Sequence, residues 1–442
     1  MKFEVKGGLI AAIALSVLES ASAQSLIETI DTAIANNPEI AASRADLAAT
    51  GETVVQARAQ NRPQITGSAS YQRQDLSRTS QFDSITGVNE TVDLDLDTID
   101  ASVEASQNIF QGFSVRNQVR SATFEVDAAN ASLDGVVQDV VLQAVGAHAD
   151  VYRDTEIVRL RGNSARALEQ QVEGANRRRE LNDATRTDVS QAEARLAVAN
   201  ADIAAARADL MASRARYESI VGAPAETPGA YLPVGSVPAS LSDAIAVAQE
   251  NAPALVAARA RSRASEAAVD VARGALSPSL SAFARAGYGE DQTFVGDSRD
   301  ELIVGVRASV PFYTGGATGS RARQASHIAS RDKFLITQAE RAVRADVVAQ
   351  WERYDASRQV IDSLIASVDA SRSAFESIKR EAQAGARTLT DVLDTERDLI
   401  GAQVRLVQAQ RDAYVAQWAL LATIGRADGS ALFAAPATLP AQ

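Results

Sequence analysis

Leu302-Ile303-Val304-Gly305-Val306-Arg307-Ala308-Ser309-Val310 alternates without a break. Read as a strand, it puts Leu302, Val304, Val306, Ala308 and Val310 on one face and Ile303, Gly305, Arg307 and Ser309 on the other. A strand of about ten residues, apolar on one side and polar on the other, suits a membrane β-barrel with lipid outside and water inside. It equally suits a half-buried soluble hairpin, and the strand alone leaves both readings open. At an offset of 203 residues the pattern returns, with Ile99, Ala101, Val103 and Ala105 alternating with Asp100, Ser102, Glu104 and Ser106. A weaker strand precedes each: Ile65, Gly67, Ala69 and Tyr71 match Leu280, Ala282, Ala284 and Ala286 at an offset of 215. Aromatic residues near the strand ends (Tyr71, Phe110, Phe113, Phe283, Tyr288, Phe312, Tyr313) resemble interfacial girdles and favour the membrane reading.

The matched strands belong to a duplication of the whole chain. Leu26…Asn37-Pro38…Pro63 returns as Leu241…Asn251-Ala252-Pro253…Pro278. Thr187-Asp188-Val189 returns as Thr390-Asp391-Val392, and Val221-Gly222 as Ile424-Gly425. The offset falls from 215 to 203, so the first copy holds twelve extra residues after Pro63. Each copy reads helix, strand, strand, long helix, tip, returning helix. The first repeat occupies residues 24–222, with strands near 64–74 and 98–110 and a tip at 180–187. A proline-rich linker covers 223–240. The second repeat occupies 241–425, with strands near 279–289 and 300–312 and a tip at 382–390, followed by a tail at 426–442. Residues 64–223 and 312–435 hold no proline to break a helix.

Those stretches carry heptads. Leu196, Ile203, Leu210 and Tyr217 recur every seven residues, as do Leu399, Leu406, Ala413 and Leu420. The descending arm shows Val347, Tyr354, Ile361, Val368 and Phe375, matched by Ala144, Val151, Val158, Ala165 and Val172. Sustained heptads specify helices packed side by side in a coiled coil.

Composition narrows the function. The chain has 442 residues, formal charge -12, two histidines and no cysteine. It has no material for a disulfide, a cysteine-ligated metal or a cysteine nucleophile, and little for a histidine-based site. The acidic balance argues against nucleic acid. No catalytic constellation, cofactor or metal site is expected. Lys2 and Lys6 flank an apolar run, and Ala21-Ser22-Ala23 ends it, so residues 1–23 read as a secretory signal peptide.

A lipid-exposed sheet cannot keep open edges, because unpaired backbone groups in hydrocarbon cost several kcal/mol each. Four strands are too few to close a barrel. Three chains would pool about twelve, enough for a lumen. The expected fold is therefore a mixed α/β membrane protein: a trimeric, 12-stranded β-barrel, four strands per chain. A long α-helical coiled-coil barrel would continue it.

This organisation resembles the TolC family of outer-membrane channel proteins. The resemblance rests on the duplicated Asn-Pro or Asn-Ala-Pro opening and the strand exits Ile109-Phe110-Gln111-Gly112 and Phe312-Tyr313-Thr314-Gly315. It rests also on the tip Gly385-Ala386-Arg387-Thr388-Leu389-Thr390-Asp391-Val392-Leu393-Asp394. It implies a homotrimer in the outer membrane with a periplasmic helical extension. It implies docking on a periplasmic adaptor and an inner-membrane pump of the RND or ABC class. It implies passive export of small molecules or proteins through an iris-like gate.

Thr185-Arg186-Thr187-Asp188 and Thr388-Leu389-Thr390-Asp391 are Thr-x-x-Asp boxes that read as helix caps. Asp394 lies one turn past Asp391 on the same face, where no cap explains it. The resemblance implies that Asp391 and Asp394 ring the periplasmic entrance as gate and selectivity residues. It implies that Arg387, Thr187 and Asp188 tie neighbouring helices and lock the gate. Ala382 stands where the family's lock usually has a tyrosine. Arg177-Arg178-Arg179 read as a solvated helix end or an adaptor contact. Asp93, Asp95 and Asp97 have the spacing of a calcium loop without its glycine and read as a solvated loop. The competing class is a soluble periplasmic coiled-coil scaffold or adaptor. It explains the heptads but not four matched strands.

Overall fold

The computed structural model describes residues 25–80, 90–226, 237–290 and 296–427, with Gly229, Tyr231 and Val234 between them. The expected signal peptide, nearly all of the tail and part of the linker lie outside the described residues. Two short helices, α1 (Leu26–Asn36) and α2 (Pro38–Ala59), lead into β1 (Gln64–Ser80) and β2 (Glu90–Gln111). Helix α3 (Ser114–Glu180) descends and α4 (Arg186–Val221) returns. The second repeat follows as α5 (Leu241–Asn251), α6 (Pro253–Gly274), β3 (Ser279–Glu290), β4 (Ser298–Ser309), α7 (Ala317–Gln383) and α8 (Leu389–Thr423).

The two halves match element by element. Helices α3 and α7 each have 67 residues, about 100 Å at 1.5 Å per residue. Helices α2 and α6 each have 22 residues, and α1 and α5 each have 11. The twelve extra residues fall between Pro63 and the start of α3, so they lengthen the first hairpin alone. Strands β1 and β2 accordingly run past the expected 64–74 and 98–110, to Ser80 and from Glu90. Beyond Tyr71 the alternation changes phase: Arg73 opposite Asp97 and Asp75 opposite Asp95 continue the row that is apolar nearer the helices, while Leu94 and Leu96 fall in the row that is polar there, although the backbone pairing continues.

Proline sets the kinks. Pro38 and Pro253 start α2 and α6, where a missing N–H costs nothing. Asn37 holds the first kink twice: its Oδ1 accepts from the Glu39 amide at 2.9 Å and its Nδ2 donates to the Ile220 carbonyl at 3.1 Å. The main core forms where these kinked pairs dock on the middle of the long helices. It contains Ile30, Val141, Val145, Leu255, Val347, Trp418, Leu421 and Ile424. A second cluster gathers Ala33, Ile40, Val140, Ala144, Val151, Tyr217 and Val221 from α1, α2, α3 and α4. Gly425, at φ +76°, closes the end of α8 over this belt. A Cβ there would lie 2.3 Å from the Asn251 carbonyl oxygen. Gly425→Ala therefore combines backbone strain with a collision that no rotamer relieves. It should cost about 2–4 kcal/mol, measured as a lowered thermal midpoint of the extracted protein.

One buried polar cluster breaks the repeat. Thr29 Oγ1 lies 3.0 Å from His148 Nδ1 and 3.0 Å from the Tyr217 hydroxyl. The matched positions in the second half are Ala244, Trp351 and Leu420. Burial pushes His148 down to about 4. The unfolded chain then binds the extra proton between about pH 6.5 and pH 4, so acidification through that window destabilises the native state. His148→Gln should flatten the fall in thermal midpoint over that range, and an unchanged slope would show that other groups set it.

The sheet is antiparallel, in the order β1-β2-β3-β4, with β1 and β4 each left with one unpaired edge within the chain. Its register aligns the apolar rows. Ala69 opposes Ala101 and Gly67 opposes Val103. Val103 opposes Ala286 and Ala105 opposes Ala284, which in turn oppose Leu302 and Val304. This face is bare: Leu302, Val304 and Val306 are 76%, 75% and 64% exposed. The opposite face carries Thr66, Ser68, Glu104, Arg285, Glu301 and Arg307, with Glu104 directly opposite Arg285. From the level of Phe110 to that of Ile99 the apolar band covers about 37 Å of strand, or about 28 Å of height at a tilt near 40°. At its far rim Tyr71 donates to Asp97 Oδ1 at 2.9 Å and Tyr288 donates to Glu290 Oε1 at 3.2 Å. Among the described residues no helix is long and apolar enough to cross a membrane.

Candidate functional site

The two tips are built alike. Thr185 caps α4: its amide donates to Asp188 Oδ2 at 2.9 Å, and the Asp188 amide donates back to Thr185 Oγ1 at 3.2 Å. Thr388 and Asp391 repeat this reciprocal box at 3.0 and 3.2 Å at the start of α8. The hydrogen bond from the Thr185 amide, then that from its hydroxyl, holds the Asp188 carboxyl below its ordinary range. For Asp391 the Thr388 hydroxyl leads and the amide follows, with the same direction. Each cap is therefore intact at neutral pH and lost only as pH falls through the depressed value.

Asp394 is engaged differently. Its Oδ1 lies 2.6 Å from Arg195 Nη2, so α8 is ion-paired to α4 across the gap between the two helical hairpins. One turn nearer the tip, Thr390 Oγ1 donates to Gln191 Oε1 at 2.7 Å. Gln191 and Arg195 sit four residues apart on one face of α4, and Thr390 and Asp394 repeat the spacing on α8. Two rungs thus join the repeats at their base. Deeper in, Gln171 of α3 donates to Glu396 Oε2 at 2.7 Å. Glu396 is buried, and desolvation raises its carboxyl above the usual range.

Arg387 stays within its own tip, where its Nε donates to Glu381 Oε2 at 2.9 Å. Thr187 is exposed in the first turn of α4, and Ala382 lies half-buried near the end of α7. Arg177, Arg178 and Arg179 fill the last turn of α3, where positive charge suits the helix dipole. The expected gate residues and Thr187 and Asp188 therefore gather at one end of the molecule. Sequence reasoning did not identify Arg195, Gln191, Gln171 or Glu396. The available signal was the row Thr187, Gln191, Arg195 at four-residue spacing beside the row Thr390, Asp394, Asp398.

A family model described as outer membrane efflux protein matches residues 29–223 and 244–426, the two repeats without the linker between them. The chain belongs to this outer membrane efflux protein family. It is 32% identical over 413 residues to the outer membrane efflux protein BepC of Brucella suis, covering 92% of this chain and 87% of that protein. It is 26% identical to the outer membrane protein TolC of Vibrio cholerae, covering 94% of each. Among solved structures, the outer membrane protein VceC of Vibrio cholerae superposes with a TM-score of 0.73 at 20% identity, over 91% of this chain and 96% of that one.

The efflux-family chain is thus an outer-membrane channel subunit of the trimeric, TolC-type fold class, with a periplasmic helical part. It serves as an exit duct of efflux and secretion systems, and its family consists of channel proteins rather than enzymes. The soluble-scaffold reading is set aside by the same family membership.

Proposed function

We propose that a homotrimer of this chain is the outer-membrane duct of a tripartite export system. A periplasmic adaptor and an inner-membrane pump, of the RND or ABC class, supply contact and energy. The chain itself gives passive passage to small molecules, to secreted proteins, or to both. The observation that carries this reading is the sheet: one face with a bare apolar band, two edges unpaired within the chain, and helices of about 100 Å hanging from it.

The gate lies at the tips. Asp391 and Asp394 set the charge of the entrance, attracting cations and repelling anions. Arg387, Thr187 and Asp188 hold neighbouring helices until partners engage and the helices realign like an iris. Glycine at 385 and alanine at 382 leave the second tip with little bulk, so polar links rather than packing hold it closed. Single-channel recording in planar bilayers tests the gate. Asp391→Asn keeps a capping oxygen while removing the charge, and Asp394→Asn removes the charge one turn on. Together they should lower cation selectivity and relieve block by divalent cations. Unchanged selectivity and unchanged block would remove both residues from the gate.

A further inference from the structure

We infer that Glu396 and Gln171 form a proton-operated catch between the two repeats, which holds the tips together when Glu396 carries a proton and slackens when it does not. The inference rests on the gate placed at the tips above and adds a group that controls it.

Gln171 Nε2 donates to Glu396 Oε2 at 2.7 Å, while Gln171 Oε1 is buried with no hydrogen-bond partner among the described residues. An ionised carboxylate only accepts, so it serves the Nε2–H group and leaves the amide oxygen orphaned. A protonated carboxyl also donates. An amide and a carboxylic acid can therefore exchange two hydrogen bonds face to face, where an amide and a carboxylate share one. Buried polar groups without a partner are rare in folded proteins, because their lost hydration is not replaced. The missing partner of Gln171 Oε1 is the proton that Glu396 can bring.

The surroundings favour the same form. Glu396 is 7% exposed and lines a cavity of about 230 Å³ between α3, α4 and α8. The charged groups around it are Arg161 of α3, Arg195 and Asp202 of α4, Lys379 of α7 and Arg397 of α8 itself. Each arginine is engaged elsewhere: Arg161 with Asp202, Arg195 with Asp394 and Arg397 with Asp398. Lys379 lies over the Phe375 ring. Burial raises the Glu396 carboxyl by more than the Gln171 amide and the Lys379 charge lower it. A buried carboxyl without a counter-ion avoids its charge by keeping its proton.

Position makes the pair a catch. Glu396 lies two residues past Asp394, whose bond to Arg195 joins α8 to α4, so the acid ties α8 to α3 next to that rung. The matched positions in the other half are Ala374, which has no amide, and Glu193, which is exposed. The pair therefore occurs once per chain. With its folded-state value raised, Glu396 contributes stability that is present below its ordinary value near 4.5 and lost as pH rises through the raised one. The caps at Asp188 and Asp391 are lost only at lower pH, so mild acidification tightens the catch while the caps stay whole.

Planar-bilayer recording between about pH 7.5 and about pH 5 reads the catch. In the unsubstituted trimer, open probability should fall several-fold as pH is lowered. Glu396→Gln fixes the proton-bearing form, because an amide at 396 both donates to Gln171 Oε1 and accepts from its Nε2. It should hold the channel at the low-pH open probability throughout the range. Gln171→Ala removes the partner and should keep open probability at or above the high-pH value. Opposite signs separate a catch from a general loosening of the tip, and Asp394 and His148 are present in all three proteins. A pH response that persists unchanged in both variants, or a rise in open probability in Glu396→Gln, overturns the catch. A second readout needs no gate. At about pH 7.5 the thermal midpoint of the detergent-extracted trimer should be higher in Glu396→Gln than in the unsubstituted protein, and the difference should vanish towards about pH 5. That result without any pH response in the recordings keeps the pairing and overturns its hold on the gate. No midpoint difference at any pH overturns the pairing itself.

Discussion

Val304→Arg is expected to remove the protein from the outer membrane. Val304 is 75% exposed in the single chain, in the middle of an apolar row that continues through Ala284, Ala105 and Ile65. In a barrel that exposure is contact with lipid. An arginine near the bilayer midplane costs about 2–4 kcal/mol per chain, and three chains carry it, so the assembled state loses about 6–12 kcal/mol. That is comparable to the whole stability of an ordinary domain. The control lies on the other face: Thr66→Arg puts the same charge directly opposite Glu104, where water and a carboxylate receive it. Detergent-resistant trimer in purified outer membranes is the readout. Val304→Arg should leave little or none, and Thr66→Arg near the normal amount. Equal loss in both would mean that the two faces do not divide lipid from water.

Arg195→Ala should open the entrance. Arg195 and Asp394 join α4 to α8 at 2.6 Å, with side chains 36% and 43% exposed and so substantially screened by water. A pair of this kind is worth about 0.5–1 kcal/mol. Three such pairs in a trimer act on one gate, so their loss shifts the closed-to-open balance by about 2 kcal/mol, on the order of thirtyfold. Removing Arg195 also leaves Asp394 without its counter-charge. The signature is therefore double: open probability rises and cation selectivity rises with it. Asp394→Asn breaks the same rung but removes the anion, so opening should rise while cation selectivity falls. Opposite signs from two ends of one bond separate an electrostatic latch from a general loosening of the tip. Arg195→Lys should restore most of the closure.

The fold was legible because its signals are local and doubled. Alternation from Leu302 to Val310 marks a strand facing two media, and the copy at Ile99 marks the same again. Heptads mark the long helices, and proline marks where the short ones begin. The extent of the first hairpin was hidden because the alternation changes phase there: Arg73, Asp75, Asp95 and Asp97 stand in the row that Tyr71 and Ile99 make apolar, so the pattern no longer reads as one continuous strand. The caps at Asp188 and Asp391 were readable, since a capping box is four consecutive residues. Their partners across the tip were not. Gln191 with Thr390 and Arg195 with Asp394 are each 199 residues apart. Such rungs depend on how two hairpins sit side by side, which no local pattern encodes. The cluster of Thr29, His148 and Tyr217 was hidden for the same reason, with three helices contributing one group each.

The claim beneath all of this is that one chain supplies only a third of a wall. Counting copies tests it most directly, by the mass of the species that detergent releases from outer membranes. Three chains in one particle, soluble only in detergent, is the expected result. A single copy that stays monodisperse in water cannot be reconciled with two unpaired strand edges beside a bare apolar face.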